Sequence, residues 1–517
     1  MKNIAFTVLF SLFCFLVLTV SLRGLPGNPT APMLESPVWK DNGPLELSPE
    51  RGRFVLTYSL IEDKSFTFSV PLARFATPDV GYINGQYVSL FAPGVSFIVM
   101  PGYVLGKLLG ASQVGTFAII SIFALLNALL IRSIALRLGA GSVAATLGAF
   151  TFLFASPAFA YAVTLYQHHI STFLILAGLY LLLRWNNVWS LAVIWFLIAL
   201  SIPVDYPNLF LMAPIGIAAG LRFFQVTKHL ANYSIQFSFL RLLSLIAVLG
   251  PLLFFFWFNA HSYGNPLQLS GTVSSAKAID EKGLPTTPVD TGTQDVEHLL
   301  DPTKQKKSSL AFFQTRNLSN GMTTHLINRD RGILWYSPIV FLAVFGAAFL
   351  YRTNRKILAV LVGIIGVNFV LYSLWSDPYG GWAFGSRYLI PTYAISAILL
   401  AIALTKWGKK ISFVVLFTLL FVYSVSINTV GAITSSRNPP KAEILGLEKL
   451  SEREEKYSFD RNFQFLETTG SKSFIYQTFA YKFVDAKIFY LLLVGAIGSV
   501  GTALIVIQAL SKKEVTQ

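Results

Sequence analysis

The chain has little charge, little sulfur and few acids. Of its 517 residues, 13% are Asp, Glu, Lys or Arg, against about a quarter in an ordinary soluble chain. Its single cysteine, Cys14, lies inside an apolar run, which excludes a disulfide framework and a cysteine-based metal site. It contains no Walker A loop, no GxGxxG after a strand, no HExxH and no GxSxG; ATP-driven transport by this chain alone is therefore not expected. What fills the space is apolar. Hydrophobic residues make up 54% of the chain, with 44 Phe, 21 Tyr and 9 Trp, and stretches long enough to cross a bilayer recur along it. That pattern predicts an all-α polytopic membrane protein. A net charge of +15 sits oddly beside it. On a soluble chain it would point to nucleic acid or an anionic surface, so the position of the 40 Lys and Arg decides its meaning.

Spanning stretches fall near 4–22, 114–136, 142–163, 168–184, 188–204, 207–223, 240–258, 333–351, 357–376, 387–405, 411–431 and 488–510. A further apolar stretch, 88–109, is broken by Pro93-Gly94 and Pro101-Gly102. The positive-inside rule settles its status. If 88–109 does not span, the short loops on the N-terminal side carry 15 cations, from Lys2 and Arg132 through Lys409 to Lys513, against one acid, Glu514. If it spans, nearly all of them face outward. The sequence thus predicts about twelve spans, both termini in the cytoplasm and 88–109 re-entrant or lying in the interface. The excess charge is a topology signal, and no nucleic-acid partner is expected. The N-terminal apolar run lacks a small-x-small cleavage site before Arg23 and reads as an uncleaved anchor.

The expected organisation is an anchor span (1–22), a first extracytoplasmic loop with juxtamembrane helices (23–113), a transmembrane core (114–258), a second loop (259–332), a second core (333–431), an extracytoplasmic segment (432–487), and a last span with its tail (488–517). In the first loop, Ser48 as N-cap, Pro49 at the first helical position and Glu50 in the first turn open an amphipathic helix. Its face of Phe54, Val55, Tyr58 and Ile61 is expected on the membrane. The polar part of the second loop, between Ser270 and Ser309, is expected to be mobile.

Acids are expected almost entirely outside. The informative ones sit at the membrane edge, where ionisable residues are expensive and mark function: Glu50, Asp79, Asp205 and Asp377. They share one leaflet with Arg51, Arg53, His168, His169, Tyr206, Trp375, Trp382 and Arg387. A carboxylate beside a membrane-edge guanidinium supplies the parts for one reaction: the carboxylate deprotonates a hydroxyl and the guanidinium holds a phosphate leaving group. Adjacent His168 and His169 diverge by roughly 100° on a helix and do not chelate one metal together.

Five stretches, in order, resemble the C-type fold superfamily of polytopic glycosyltransferases that use polyprenyl-phosphate sugars, in its bacterial protein-mannosyltransferase-like branch. They are ERGRFVLTYSLIEDKSFTF (50–68), TPDVGYINGQYVSLFAPGVSFIVMP (77–101), the Tyr263-Gly264-Asn265-Pro266-Leu267 turn, RGILWYSPIVFLAVFG (331–346) and SLWSDPYGGWAFGSRYLIP (373–391). The resemblance implies a sugar transferred from a polyprenyl-phosphate donor to a hydroxyl of a glycan, lipid or protein, with inversion, outside the plasma membrane. It also implies that an acid early in the first outer loop is the base. Here that points to Glu50. Many relatives carry an Asp-Glu pair where this chain has Pro49-Glu50, which leaves Asp79 as a rival base. Arg387, with Trp382 and Tyr388 nearby, resembles a donor-phosphate site, shared with Arg51 or Arg53; His168, Asp205 and Tyr206 complete the expected substrate-binding set. No cofactor is implied, and a divalent cation is not indicated. A transporter or flippase of a lipid-linked or anionic substrate is the alternative, and a scaffold without chemistry the third.

Overall fold

The computed structural model describes residues 2–229, 232–286, 312–452 and 454–510. Much of the expected mobile loop, from 287 to 309, lies outside the described residues. Among the described residues, six helices are long and apolar enough to cross a membrane: Ser112–Arg137, Phe239–Tyr263, Arg355–Ser373, Arg387–Trp407, Ile411–Ile433 and Ala486–Leu510. Six shorter apolar helices join them: Phe6–Ser21, Ser142–Phe154, His168–Arg184, Val188–Val204, Ala213–Phe223 and Pro338–Thr353. These twelve fall on the twelve apolar stretches of the sequence, and the chain is an all-α multi-pass membrane protein. Apolar residues run all round these helices rather than along one stripe, as suits segments enclosed by lipid and by each other. The Arg387–Trp407 helix is the axis of the bundle, with every residue from Ile390 to Leu404 buried.

The two ends of the bundle differ. At one end, short connections are tied down by arginines at helix C-termini, where free carbonyls attract cations. Arg137 donates to the Leu183 carbonyl at 2.9 Å, and Arg222 donates to Trp185 at 2.7 Å. At the other end the long connections pack on one another. The Tyr82 N–H donates to Ser274 at 2.8 Å, Ser376 to Phe312 at 2.8 Å, and Ala383 to Asn438 at 2.9 Å.

The first long connection builds most of that second end. A hairpin pairs Val80–Ile83 with Gln86–Ser89, and the short strand Ser275–Ala276 adds to its free edge with Val80 opposite Ala276. The first part of the second loop, expected to be mobile, is therefore anchored by strand pairing. The Gly94–Leu108 helix follows, interrupted by Pro101. Its 15 residues span about 22 Å at 1.5 Å each, short of the ~30 Å hydrocarbon core. It turns at Gly110 and lies against Ser112–Arg137 through a glycine crossing. A Cβ on Gly102 would sit 2.3 Å from the Gly115 carbonyl oxygen, and one on Gly115 2.0 Å from that of Gly102, so no larger residue allows this approach.

Two local expectations are corrected. The helix opening at Ser48 starts one residue earlier, with Leu47 as N-cap and Glu50 at the third helical position. The Glu50 side chain itself accepts the N–H of Leu47, which makes it the closing half of a capping box. Second, Phe54 and Val55 are fully buried and Tyr58 nearly so. The helix packs beneath the Gly94–Leu108 helix, so its apolar face is covered by protein and does not lie on the membrane.

Candidate active site

At the end of the bundle that carries the long connections, a cavity of about 460 Å³ opens between the first loop and four helices. Arg53 enters from the Ser48–Tyr58 helix, one turn after Pro49. Tyr166 and Gln167 come from the turn before His168–Arg184. Asp205 and Tyr206 sit where the helix ending at Val204 is stopped by Pro203 and Pro207. Arg387 and Tyr388 begin the axial helix. The remaining lining is apolar and aromatic, with Phe91, Leu209, Phe210, Phe313 and Trp375 prominent; Leu209 and Phe210 are half exposed on the outside of the bundle.

Backbone geometry delivers Arg387. Gly380 and Gly381 take left-handed conformations, φ +72° and +61°, which a side chain would strain. Asp377 ties this turn by accepting the N–H groups of Tyr379, at 3.0 Å, and Gly381. Arg387 then spends one nitrogen on the Gly380 carbonyl at 2.7 Å.

The decisive feature is what the two guanidiniums leave unused. Arg53 and Arg387 are 5% and 9% exposed, yet Arg53 Nε has no hydrogen-bond partner in the protein, and Nε and Nη1 of Arg387 have none of good geometry, the adjoining Tyr388 phenol being their one neighbour of that kind. Buried donors are seldom orphaned unless something else satisfies them. The Tyr166 ring lies between the two, its centre 6.0 Å from the Arg53 guanidinium and 5.0 Å from that of Arg387. The Phe91 ring backs Arg53 at 4.8 Å. Burial brings the Arg53 pKa down to about 10, although Asp205 opposes this, so it stays cationic at neutral pH. Asp205 is the one carboxylate lining this cavity among the described residues. It accepts a hydrogen bond from Gln167 at 3.0 Å, and burial raises its pKa despite the nearby arginines.

Glu50 does not line this cavity; it is fully buried next to Pro49 and one turn from Arg53, both of which do. One carboxylate oxygen accepts the N–H groups of Glu46 and Leu47, each at 3.1 Å. The other, Oε1, is buried without a partner. Burial, reinforced by the Glu46 carboxylate, raises the Glu50 pKa to about 7. One turn before it, Glu46 has the opposite character. It accepts from Arg23 at 3.1 Å, from Lys472 at 2.6 Å and from the Ser436 N–H at 2.7 Å. Burial pushes its carboxyl up, but Lys472 and Arg23 outweigh that and hold it at about 2.

Glu46, one turn before Glu50, also lines a second cavity, of about 550 Å³. Its wall is polar, with Asp41, Arg437, Arg461 and Lys472. Trp382, expected beside Arg387, lines this second cavity, because the Gly380-Gly381 turn points it away. Its indole N–H donates to Glu443 at 2.6 Å. Asp79 is half-buried and accepts the Ser48 hydroxyl at 2.5 Å. The Arg51 guanidinium donates to the Leu45 and Glu46 carbonyls at 3.0 and 3.1 Å, and to that of Lys40, and holds the loop before the helix. The His168 ring stacks on Tyr166, centres 5.8 Å apart, behind the first cavity. His169 turns away to the Ala158 carbonyl at 2.8 Å. Tyr206 shares a hydrogen bond with Ser270 at 2.8 Å. Among the described residues, no three His, Cys, Asp or Glu side chains gather as a metal-ligand group.

Sequence reasoning missed Tyr166 and Gln167, which adjoin the singled-out His168, and missed Arg23, Glu46 and Lys472. Lys472 meets Glu46 across 426 residues of chain; no local pattern marks such a pair.

Fold and site together define a multi-pass membrane protein with a cationic cavity walled by aromatic and apolar residues, a second, polar cavity, and a buried carboxyl one turn from a lining residue of each. No family model and no curated protein matches the chain. Among solved structures it is similar to ArnT from Cupriavidus metallidurans in the apo state, with 13% identity and a TM-score of 0.46 over 98% of this chain and 78% of that one. The same protein bound to undecaprenyl phosphate gives 15% identity and a TM-score of 0.45, covering 98% and 76%. An Archaeoglobus fulgidus oligosaccharyltransferase gives 15% and 0.37, covering 97% of this chain and 56% of that one. Likeness at this level is distant, and the chemistry of the site rests on its own residues.

Proposed function

We propose that this protein is a membrane glycosyltransferase that moves a sugar from a polyprenyl-phosphate donor to an acceptor hydroxyl on the extracytoplasmic face. The observation that carries the reading is the set of orphaned N–H donors on Arg53 and Arg387, buried in a cavity whose outer wall is apolar. Guanidinium pairs of this kind suit a phosphate oxyanion, and the aromatic outer wall suits a polyprenyl chain. In the reaction the acceptor oxygen forms a bond to the anomeric carbon from the face opposite the phosphate. The bond from that carbon to the phosphate oxygen breaks, and its electron pair leaves with the lipid phosphate, which Arg53 and Arg387 hold. The acceptor proton goes to Glu50 Oε1. A carboxyl with a pKa near 7 is matched to that task at neutral pH. Glu50 is preferred over Asp79 because it is buried within one turn of Arg53 in the first cavity and of Glu46 in the second and keeps a free oxygen, whereas Asp79 is engaged by Ser48. Asp205, held by Gln167, offsets part of the positive charge of the arginines.

The test is binding and turnover in nanodiscs. Undecaprenyl phosphate is expected to bind wild type, and Arg53→Ala and Arg387→Ala are each expected to weaken it about tenfold to a hundredfold, from loss of charge-assisted hydrogen bonds. Transfer from a radiolabelled undecaprenyl-phosphate sugar is expected to fall about 10²- to 10⁴-fold in Glu50→Gln. If lipid binding ignores both arginines, or if purified protein moves the lipid across sealed liposomes without forming a glycosidic bond, the assignment is wrong and a flippase reading replaces it.

A further inference from the structure

The second cavity has its own chemistry, and it is not that of a neutral sugar pocket. Its three lining cations differ in how they are paired. Lys472 is neutralised by Glu46 at 2.6 Å, and Arg461 by Glu455 at 2.7 Å. Arg437 makes no ion pair with any carboxylate among the described residues, and it stands exposed at the cavity wall. Its guanidinium lies 5.4 Å from the centre of the Trp382 ring, and that of Arg461 lies 5.7 Å from the same ring. The indole therefore holds two guanidiniums close together in a recess, against mutual repulsion. Arg51, buried just behind, adds a third, and Arg437 contributes to lowering its pKa after burial itself. Asp41, Glu46 and Glu50 offset part of the charge at Arg51, but Arg437 has no carboxylate of its own among the described residues, and an anion entering the recess would supply one.

We propose that this cavity binds the acceptor, and that the acceptor carries an anionic group, a phosphate or a carboxylate, held by Arg437 with Arg461. The proposal rests on the transferase reading above, since it takes Glu50, within one turn of a lining residue of each cavity, as the base that serves the donor and acceptor sides. With the anion at Arg437, the floor of the cavity at Glu46 directs the rest of the acceptor toward Glu50, one helical turn away. Trp382 then serves as the platform for the acceptor-side arginines, and not for the donor.

The experiment measures binding of three soluble probes to the full chain in nanodiscs: glucose 1-phosphate, glucuronate and glucose. At least one of the two anionic probes is expected to bind at least tenfold more tightly than glucose. Its binding is expected to fall about tenfold in Arg437→Gln and to weaken with added salt. Arg461→Gln is expected to act in the same direction, and Arg437→Lys to retain part of the affinity. Preference for the phosphate identifies a phosphorylated acceptor, preference for glucuronate an acidic sugar. Equal binding of glucose, or indifference to both arginine substitutions, overturns the proposal. Undecaprenyl phosphate binding, measured on the same variants, is expected to stay at the wild-type value. If the donor lipid fails to bind wild type while the anionic probe still depends on Arg437, it is the transferase reading that has failed and not the anion site.

Discussion

Two glutamates one helical turn apart carry opposite protonation behaviour, and each yields a prediction. Glu50 has its folded pKa raised to about 7 from 4.5. As the base it must be ionised, so the transfer rate is expected to rise with pH up to about 7 and then level off. Glu50→Gln is expected to lower kcat by about 10²- to 10⁴-fold and to abolish that rising limb, with the melting temperature kept, because the Gln carbonyl still caps the helix. A pH profile unchanged by the substitution would exclude Glu50 as the base. Glu46 is depressed to about 2. Its stabilising effect is therefore complete above about 4.5 and is lost as the pH falls toward 2. Removing it in Glu46→Ala strands Arg23, which is fully buried, and is expected to cost about 3–5 kcal/mol, measured by thermal unfolding in detergent. Sequence reasoning found Glu50 as an acid at the membrane edge, and the family resemblance pointed to it as the base. It passed over Glu46, since nothing within the first loop shows that Arg23 and Lys472 converge on it.

At the scale of elements, the site depends on how the first loop is fastened to the bundle. The Gly102–Gly115 crossing clamps the juxtamembrane helix to the Ser112–Arg137 span, and the Ser48–Tyr58 helix packs beneath that juxtamembrane helix. Gly115→Val is expected to destabilise the protein by about 1–3 kcal/mol through overpacking and to weaken undecaprenyl phosphate binding, because Arg53 moves with its helix. A wild-type melting curve for this variant would show that the crossing is not needed. The elements themselves were legible, from apolar length and Pro-Gly breaks. The burial of Phe54 and Val55 was not, because an amphipathic face reads the same whether lipid or protein covers it.

At the scale of the whole molecule, the asymmetry of charge and the asymmetry of loop length agree. The arginines at helix C-termini gather at one end, and both cavities open at the other. The orientation proposed from the positive-inside rule places the cavities outside the cell. In a Cys14→Ser background, Lys282→Cys is expected to react with a membrane-impermeant maleimide on intact cells, and Lys410→Cys only after permeabilisation. Both positions are exposed, and Cys14 is fully buried. Labelling of the reverse pattern would invert the topology and move the site to the cytoplasm.

The class of the protein, the number and position of its apolar helices and the gathering of its cations at one end of the bundle were legible in the sequence alone. These properties follow from transfer free energies summed along contiguous segments, which need no knowledge of contacts. The sequence also marked Glu50, Asp205, Arg53 and Arg387, since charges at a membrane edge are costly wherever the chain goes. That Arg53 and Arg387 share a cavity with Tyr166, that Trp382 belongs to a different one, and that Glu50 is buried within one turn of residues lining each emerges only from how the long connections pack. Those facts depend on which loops meet across hundreds of residues and on two glycines turning the chain before Arg387, and local pattern carries no record of either.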